Sequence, residues 1–198
     1  MTTAAPTRDR IVEAAISSFG TRGYDGTSLD AVAANLGVSK QTILHHFGSK
    51  ERLLDSVIDR CAGELSAELE RALATAGPGF ERVEALVRAV FRLAARRPEL
   101  LGVVREISRL GPPTAAGRLS HALDPLVARA RAHLEAEMAA GAMRTQDPRL
   151  LLVSAYSTVV GVATEVEVLR AVGIEPTARS LVRRRNELVA FLRSALVP

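Results

Sequence analysis

The chain has 198 residues, 47% of them hydrophobic and 24% charged, with a formal net charge of +4. That composition excludes a disordered chain, and 4% aromatics in an alanine-, leucine- and arginine-rich background favours helices over strands. The lone cysteine, Cys61, excludes an intramolecular disulfide and a cysteine-based zinc site.

In chain order, the first predicted helix runs from about Thr7 to Arg22. Val12, Ala15, Ile16 and Phe19 form its apolar stripe, and Gly23 ends it. Thr27 opens the second, with Asp30 placed to complete a capping box. Leu29, Val32, Ala33 and Leu36 recur at helical spacing. Gly37 then supplies a left-handed turn, and Ser39 caps a short third helix ending near Phe47. The fourth runs from Lys50 to about Thr75 and stops at Gly77-Pro78-Gly79. The fifth spans Phe80–Arg96, and the sixth spans Pro98–Leu110 before Gly111-Pro112-Pro113. A seventh covers about Thr114–Ala140, with Pro125 as an expected kink. An eighth is read from Pro148 to Val172 and a ninth from Pro176 to about Ala195. The expectation is an all-α fold of about nine helices.

Residues Thr27–Lys50 read as two short helices about a glycine turn, the helix-turn-helix arrangement that lays its second helix in the major groove of DNA. Ile43 and Phe47 point inward at i and i+4. Ser39, Lys40, Gln41, Thr42, His45 and His46 are left outside, as hydrogen-bonding groups able to meet base edges. Thr27, Ser28 and Lys50 are expected to hold phosphates. Lys40 and Lys50 are the only lysines in the chain. Position carries this reading, because residues 1–50 hold five basic and four acidic groups. Neighbouring histidines do not face one metal ion, so no metal or cofactor is expected.

With the residues before it, this segment resembles the DNA-binding domain of the TetR family of transcriptional regulators. The match runs through Arg10, Ile11, Ala15, Phe19, Gly23-Tyr24, Thr27-Ser28, Ala33, Leu36-Gly37-Val38-Ser39, Thr42, His46-Phe47, Ser49-Lys50-Glu51 and Leu53. Looser likenesses follow at Arg97-Pro98-Glu99-Leu100, Arg105-Glu106, Gly141-Ala142-Met143-Arg144 and Asp147-Pro148. Leu44 departs from the family, which often carries a tyrosine there whose hydroxyl touches a phosphate. The resemblance implies an all-helical homodimer, with a helix-turn-helix domain at 1–49 and an effector-binding and dimerisation domain at 50–198.

The eighth predicted helix is apolar all round, so it must be covered on more than one side. With the ninth it is expected to form a four-helix interface with a second copy, matching a palindromic operator on double-stranded DNA. The expected function is a ligand-responsive repressor released by a small hydrophobic effector. Candidate effector contacts are Phe91, Ile107, Leu123, Tyr156 and Val160, with Arg105, Glu106, His121 and Glu165 as possible polar anchors. A redox response through Cys61 is the alternative. An enzyme is not expected, because no nucleophile elbow, zinc-protease or phosphate-loop motif occurs. The start MTTAAPTRDR lacks the apolar stretch of a signal peptide. The longest uncharged run, Leu150–Thr164, is fifteen residues, short of a membrane span. A cytoplasmic location is expected.

Overall fold

The computed structural model describes residues 7–110 and 112–198, and for Arg109 and Leu110 the backbone alone. Two readings lie outside these residues: the absence of a signal stretch at residues 1–6, and Gly111 as a helix stop. Among the described residues there are ten helices and no strand. They are α1 (Thr7–Arg22), α2 (Leu29–Leu36), α3 (Lys40–Phe47), α4 (Lys50–Ala74), α5 (Phe80–Arg96), α6 (Pro98–Leu110), α7 (Pro113–Ala139), α8 (Pro148–Thr164), α9 (Val166–Ala171) and α10 (Ala178–Leu196). Among the described residues no helix is long and apolar enough to cross a membrane.

Local chemistry sets most boundaries. Gly37 adopts φ 67° and ψ 32°, the left-handed conformation that glycine reaches cheaply, and its N–H closes the last turn of α2 on Ala33 and Ala34. Asp147 caps α8 by accepting from the Arg149 and Leu150 amides, with Pro148 in the first turn. Thr177 and Ser180 form a reciprocal capping box at the start of α10, which moves that start two residues past Pro176. Pro125 lies inside α7, which continues through it.

The eighth predicted helix is two helices. The chain breaks at Glu165, with φ −79° and ψ 78°, between α8 and α9. Arg184 of α10 supplies a physical reason. Its guanidinium donates to the carbonyl of Val162, the acceptor that an unbroken helix would offer to the Val166 amide. Arg184 is 8% exposed, and burial lowers its pKa from the ordinary arginine value. A cation at the carbonyl end of α8 also meets the negative pole of that helix. The chain resumes at Val166 as α9, which stops at Ala171, two residues before Gly173 with φ 75°.

The chain divides into two compact units. The first comprises the residues up to Glu64 with Pro98–Ala122, and the second Leu65–Arg97 with Leu123–Pro198. In the first, α1 packs on α2 and most extensively on α6, and α2 packs on α3. Ile11, Ile16, Val32, Ile43, Leu53, Val57, Ile58, Leu100, Leu101 and Ile107 are at most 2% exposed there. The α1–α6 crossing is glycine to glycine. A Cβ on Gly102 would stand 2.6 Å from the Gly20 carbonyl oxygen, and a Cβ on Gly20 would collide with the Glu99 carbonyl. Cys61 is completely buried on α4, a small apolar filler out of reach of solvent oxidants, which argues against the redox alternative.

In the second unit α5, α8 and α10 share one core. Phe80, Val87, Phe91, Val159, Ala163, Leu188, Leu192 and Leu196 pack together. Arg193 lies over the Phe80 ring at 4.4 Å and reaches Glu84 at 3.3 Å. Glu68 of α4 is 6% exposed and paired with Arg71, Arg92 and Arg96. Burial alone would raise its carboxyl pKa. The hydrogen bonds from Arg92 and Arg71 and the charge of Arg96 outweigh that, and the pKa falls below the usual glutamate value. A lowered carboxyl pKa gives stability that is complete above about pH 4.3, the unfolded value, and is lost as pH falls through the folded one. Glu68→Gln should therefore cost about 1–2 kcal/mol at neutral pH, discounted for solvent around the arginines, and flatten the acid limb of stability. Urea melts between pH 3 and 7 check this, and an unchanged acid limb would contradict it.

Candidate nucleic-acid interface

The third helix is fixed from within. Ile43 is 0% and Phe47 5% exposed, so their side of α3 faces the core of the first unit. Ser39 caps the helix: its hydroxyl accepts from the Thr42 amide at 3.2 Å and pairs with the Thr42 hydroxyl at 3.0 Å. Gly48 ends it, with φ 77°. On the other side Lys40, Gln41, His45 and His46 are exposed, Ser39 is exposed at the cap, and Thr42 is half-buried. The His45 and His46 rings meet edge to face at 5.5 Å. Leu44 is half-buried and brings no polar group.

These side chains are donors and acceptors on a helix of eight residues, a size that fits the major groove. Lys40 pairs with Asp30 of α2 at 3.0 Å. Both are exposed, so the pair is weak and a phosphate can compete for the ammonium. Ser28 is exposed and accepts from the Ala31 amide, which makes it the cap of α2.

Two expectations are corrected here. Thr27 is neither the cap of α2 nor open to a phosphate. It is 1% exposed, and its hydroxyl lies 2.8 Å from the Gly23 carbonyl and 3.2 Å from that of Ser18. Thr27 and Ser28 are equivalent as local caps, and the inward bond to α1 decides between them. Asp30 accordingly meets Lys40 and not a capping box. Lys50 is the second correction. Its ammonium donates to the Tyr24 carbonyl at 2.7 Å and sits 4.0 Å over the Tyr24 ring, which ties the α1–α2 connection to the start of α4. In this conformation it braces the domain, with the remaining N–H donors left for other partners.

Tyr24 was matched only as part of a family pattern, and its role comes from the fold. It is 9% exposed, stacks edge-on against Phe19 at 5.5 Å, and points its hydroxyl at Glu51, 3.5 Å away. Burial first, and then the Glu51 charge, raise its pKa above the ordinary tyrosine value. Ser18, 2% exposed, accepts from Asn35 at 3.2 Å and locks α1 to α2. A buried serine in a helical stripe gives no local signal of that bond.

The effector candidates are divided between the two units. Ile107, 2% exposed, belongs to the first unit, while Phe91, Leu123, Tyr156 and Val160 belong to the second. Phe91 is locked into the α5–α8–α10 core, Val160 is 9% exposed, Leu123 is half-buried and Tyr156 is 43% exposed. A lined depression does occur in the first unit, about 490 Å³ in volume, between Asp9, Arg10, Glu13, Ala14, Leu36 and Arg60. Arg60 bridges Asp9 at 2.7 Å and Glu13 at 2.9 Å there.

Three short helices with a capped, polar-faced third one define a helix-turn-helix module of the DNA-reading class. Residues 11–57 match the family described as bacterial regulatory proteins, tetR family. Over that segment the chain is similar to members of this family of transcriptional regulators. It is 36% identical over 92 residues to the HTH-type transcriptional regulator BetI of Rhizobium meliloti, covering 46% of this chain and 45% of that protein. It is 29% identical over 126 residues to the HTH-type transcriptional repressor KstR of Mycolicibacterium smegmatis, covering 62% of each. The chain thus aligns with less than two thirds of either relative. Its fold is similar to that of a putative transcriptional regulator from Saccharomonospora viridis solved in complex with choline. The TM-score is 0.78 at 22% identity, over 97% of this chain and 98% of that one.

Proposed function

We propose that this protein is a homodimeric repressor that reads an inverted-repeat operator through α3 and is released by a small organic effector. The observation that carries the reading is the division of α3, with Ile43 and Phe47 buried and Lys40, Gln41, His45 and His46 exposed. In this reading Ser39, Lys40, Gln41, Thr42, His45 and His46 meet bases or nearby phosphates, and Ser28 holds the backbone. Residues 1–49 act as the reading head, and 50–198 carry effector binding and pairing. A cytoplasmic location goes with that role.

Pairing is supported by exposed apolar side chains on the two helices assigned to it. Leu150 and Val153 of α8 are 67% and 63% exposed, and Phe191 of α10 is 61% exposed. Such groups call for a partner surface. A two-fold dimer then matches two half-sites. The effector site is proposed in the second unit, around Leu123, Tyr156 and Val160, because Phe91 is committed to the α5–α8–α10 core and Ile107 to the core of the first unit. Support for a ligand is the choline-bound relative, and support for repression is the relation to KstR. Release follows if the effector binds better to a state in which the two heads no longer match one duplex face.

Gln41→Ala with His45→Ala should reduce operator affinity by roughly 30-fold or more, because two lost base contacts at about 1–3 kcal/mol each add to at least about 2 kcal/mol, while binding to random duplex changes little. Gel-shift titrations on both duplexes measure this. A variant that discriminates as well as the wild type would falsify the reading surface.

A further inference from the structure

We propose that Arg71, Arg92 and Arg96, organised around Glu68, form a binding site for the dianionic phosphate group of a small molecule. All four residues belong to the second unit, and the site is independent of the operator reading. Arg71 Nη2 lies 2.7 Å from Glu68 Oε2, while Arg92 Nε and Arg96 Nη2 each lie 3.1 Å from Oε1. Arg92 and Arg96 are one turn apart on α5, and Arg71 stands one turn from Glu68 on α4.

The charges do not balance. Three guanidiniums surround one carboxylate, a surplus of two positive charges. One arginine is enough to neutralise a glutamate, and holding three long side chains together costs rotamer freedom. Glu68 itself is 6% exposed, so it cannot turn away to water and serves as a fixed template. The arginine side chains keep 71%, 48% and 61% of their surface open. Each commits one nitrogen to Glu68, and a guanidinium carries five N–H donors, so most donors stay accessible. Guanidinium forks match phosphate oxygens in pairs, and a phosphomonoester near neutral pH carries about −1.5 to −2 charge, which matches the surplus.

The test uses the full chain without DNA, titrated calorimetrically at constant ionic strength with inorganic phosphate, adenosine 3′,5′-bisphosphate and, as a monoanion control, acetate. Saturable binding of either phosphate probe is expected, with acetate silent. Tighter binding of the bisphosphate assigns the site to an organic phosphoester, and tighter binding of inorganic phosphate assigns it to the free ion. Arg92→Gln with Arg96→Gln should weaken binding roughly tenfold or more, whereas Arg149→Gln, exposed elsewhere on the surface, should not. Arg96→Lys keeps the charge and loses the fork, and it should also weaken binding, which keeps the test decisive if the double variant unfolds. The proposal is overturned by no saturable heat, by acetate binding as well as phosphate, by equal affinity in the wild type and double variant, by an equal loss in Arg149→Gln, or by full affinity in Arg96→Lys.

Discussion

Replacing Gly102 by alanine should destabilise the protein by about 2 kcal/mol or more and weaken operator binding with it. The reason is the α1–α6 crossing. The added methyl would stand 2.6 Å from the Gly20 carbonyl oxygen, and backbone cannot rotate aside as a side-chain tip can. Alanine favours a helix over glycine by about 1 kcal/mol, so the clash must exceed that gain for the sign to hold. Gly20→Ala should be the more damaging of the two, because its Cβ meets the oxygen, carbon and Cα of Glu99 together. Both helices would have to part, and α1 also supports α2, on which α3 rests. Thermal melts of the single variants measure the effect. Gly117→Ala, whose Cβ meets nothing within 4 Å, is the control and should be neutral or slightly stabilising. Equal midpoints for Gly102→Ala and Gly117→Ala would contradict the close crossing.

Ile43→Ala should cost about 2–5 kcal/mol and abolish operator binding before it abolishes secondary structure. Ile43 is 0% exposed, and with Phe47 it is the buried anchor of α3. An eight-residue helix has little stability of its own, so its orientation comes from these two contacts. Truncating one leaves a cavity beneath the reading surface, and the exposed side chains lose their common direction. Chemical denaturation gives the stability change, and a gel shift at a temperature where the variant is still folded gives the binding loss. Full binding by a folded Ile43→Ala would mean that α3 does not need this anchor to present its outer side.

The helices were legible because their signals are local. Gly37, Ser39 and Asp147-Pro148 each act within a turn of where they stand, and the alternation of Ile43 and Phe47 with polar neighbours marks the face of α3. Exposure at the candidate site was legible to the same extent: Ser28, Ser39, Lys40, Gln41, His45 and His46 lie on the surface as their spacing implies. What failed to show depends on residues distant in sequence. Thr27 and Ser28 are interchangeable caps until α1 offers the Ser18 carbonyl, and Lys50 is a free cation until Tyr24 is placed beside it. Continuous apolar character carried the eighth predicted helix through Glu165, because nothing near that residue announces Arg184. Gly20 and Gly102 look like ordinary helical glycines until α1 and α6 cross. Phe91 and Ile107 look alike as apolar helical residues, and only the tertiary division separates them.

Selection of duplexes by the wild-type protein from a randomised pool, followed by sequencing, tests the assignment of α3 most directly. The expected product is one motif made of two inverted half-sites, with guanine N7 methylation inside them blocking binding from the major groove. A pool that returns no motif, or a motif that tolerates major-groove methylation throughout, would contradict a protein that reads DNA with the exposed side of α3.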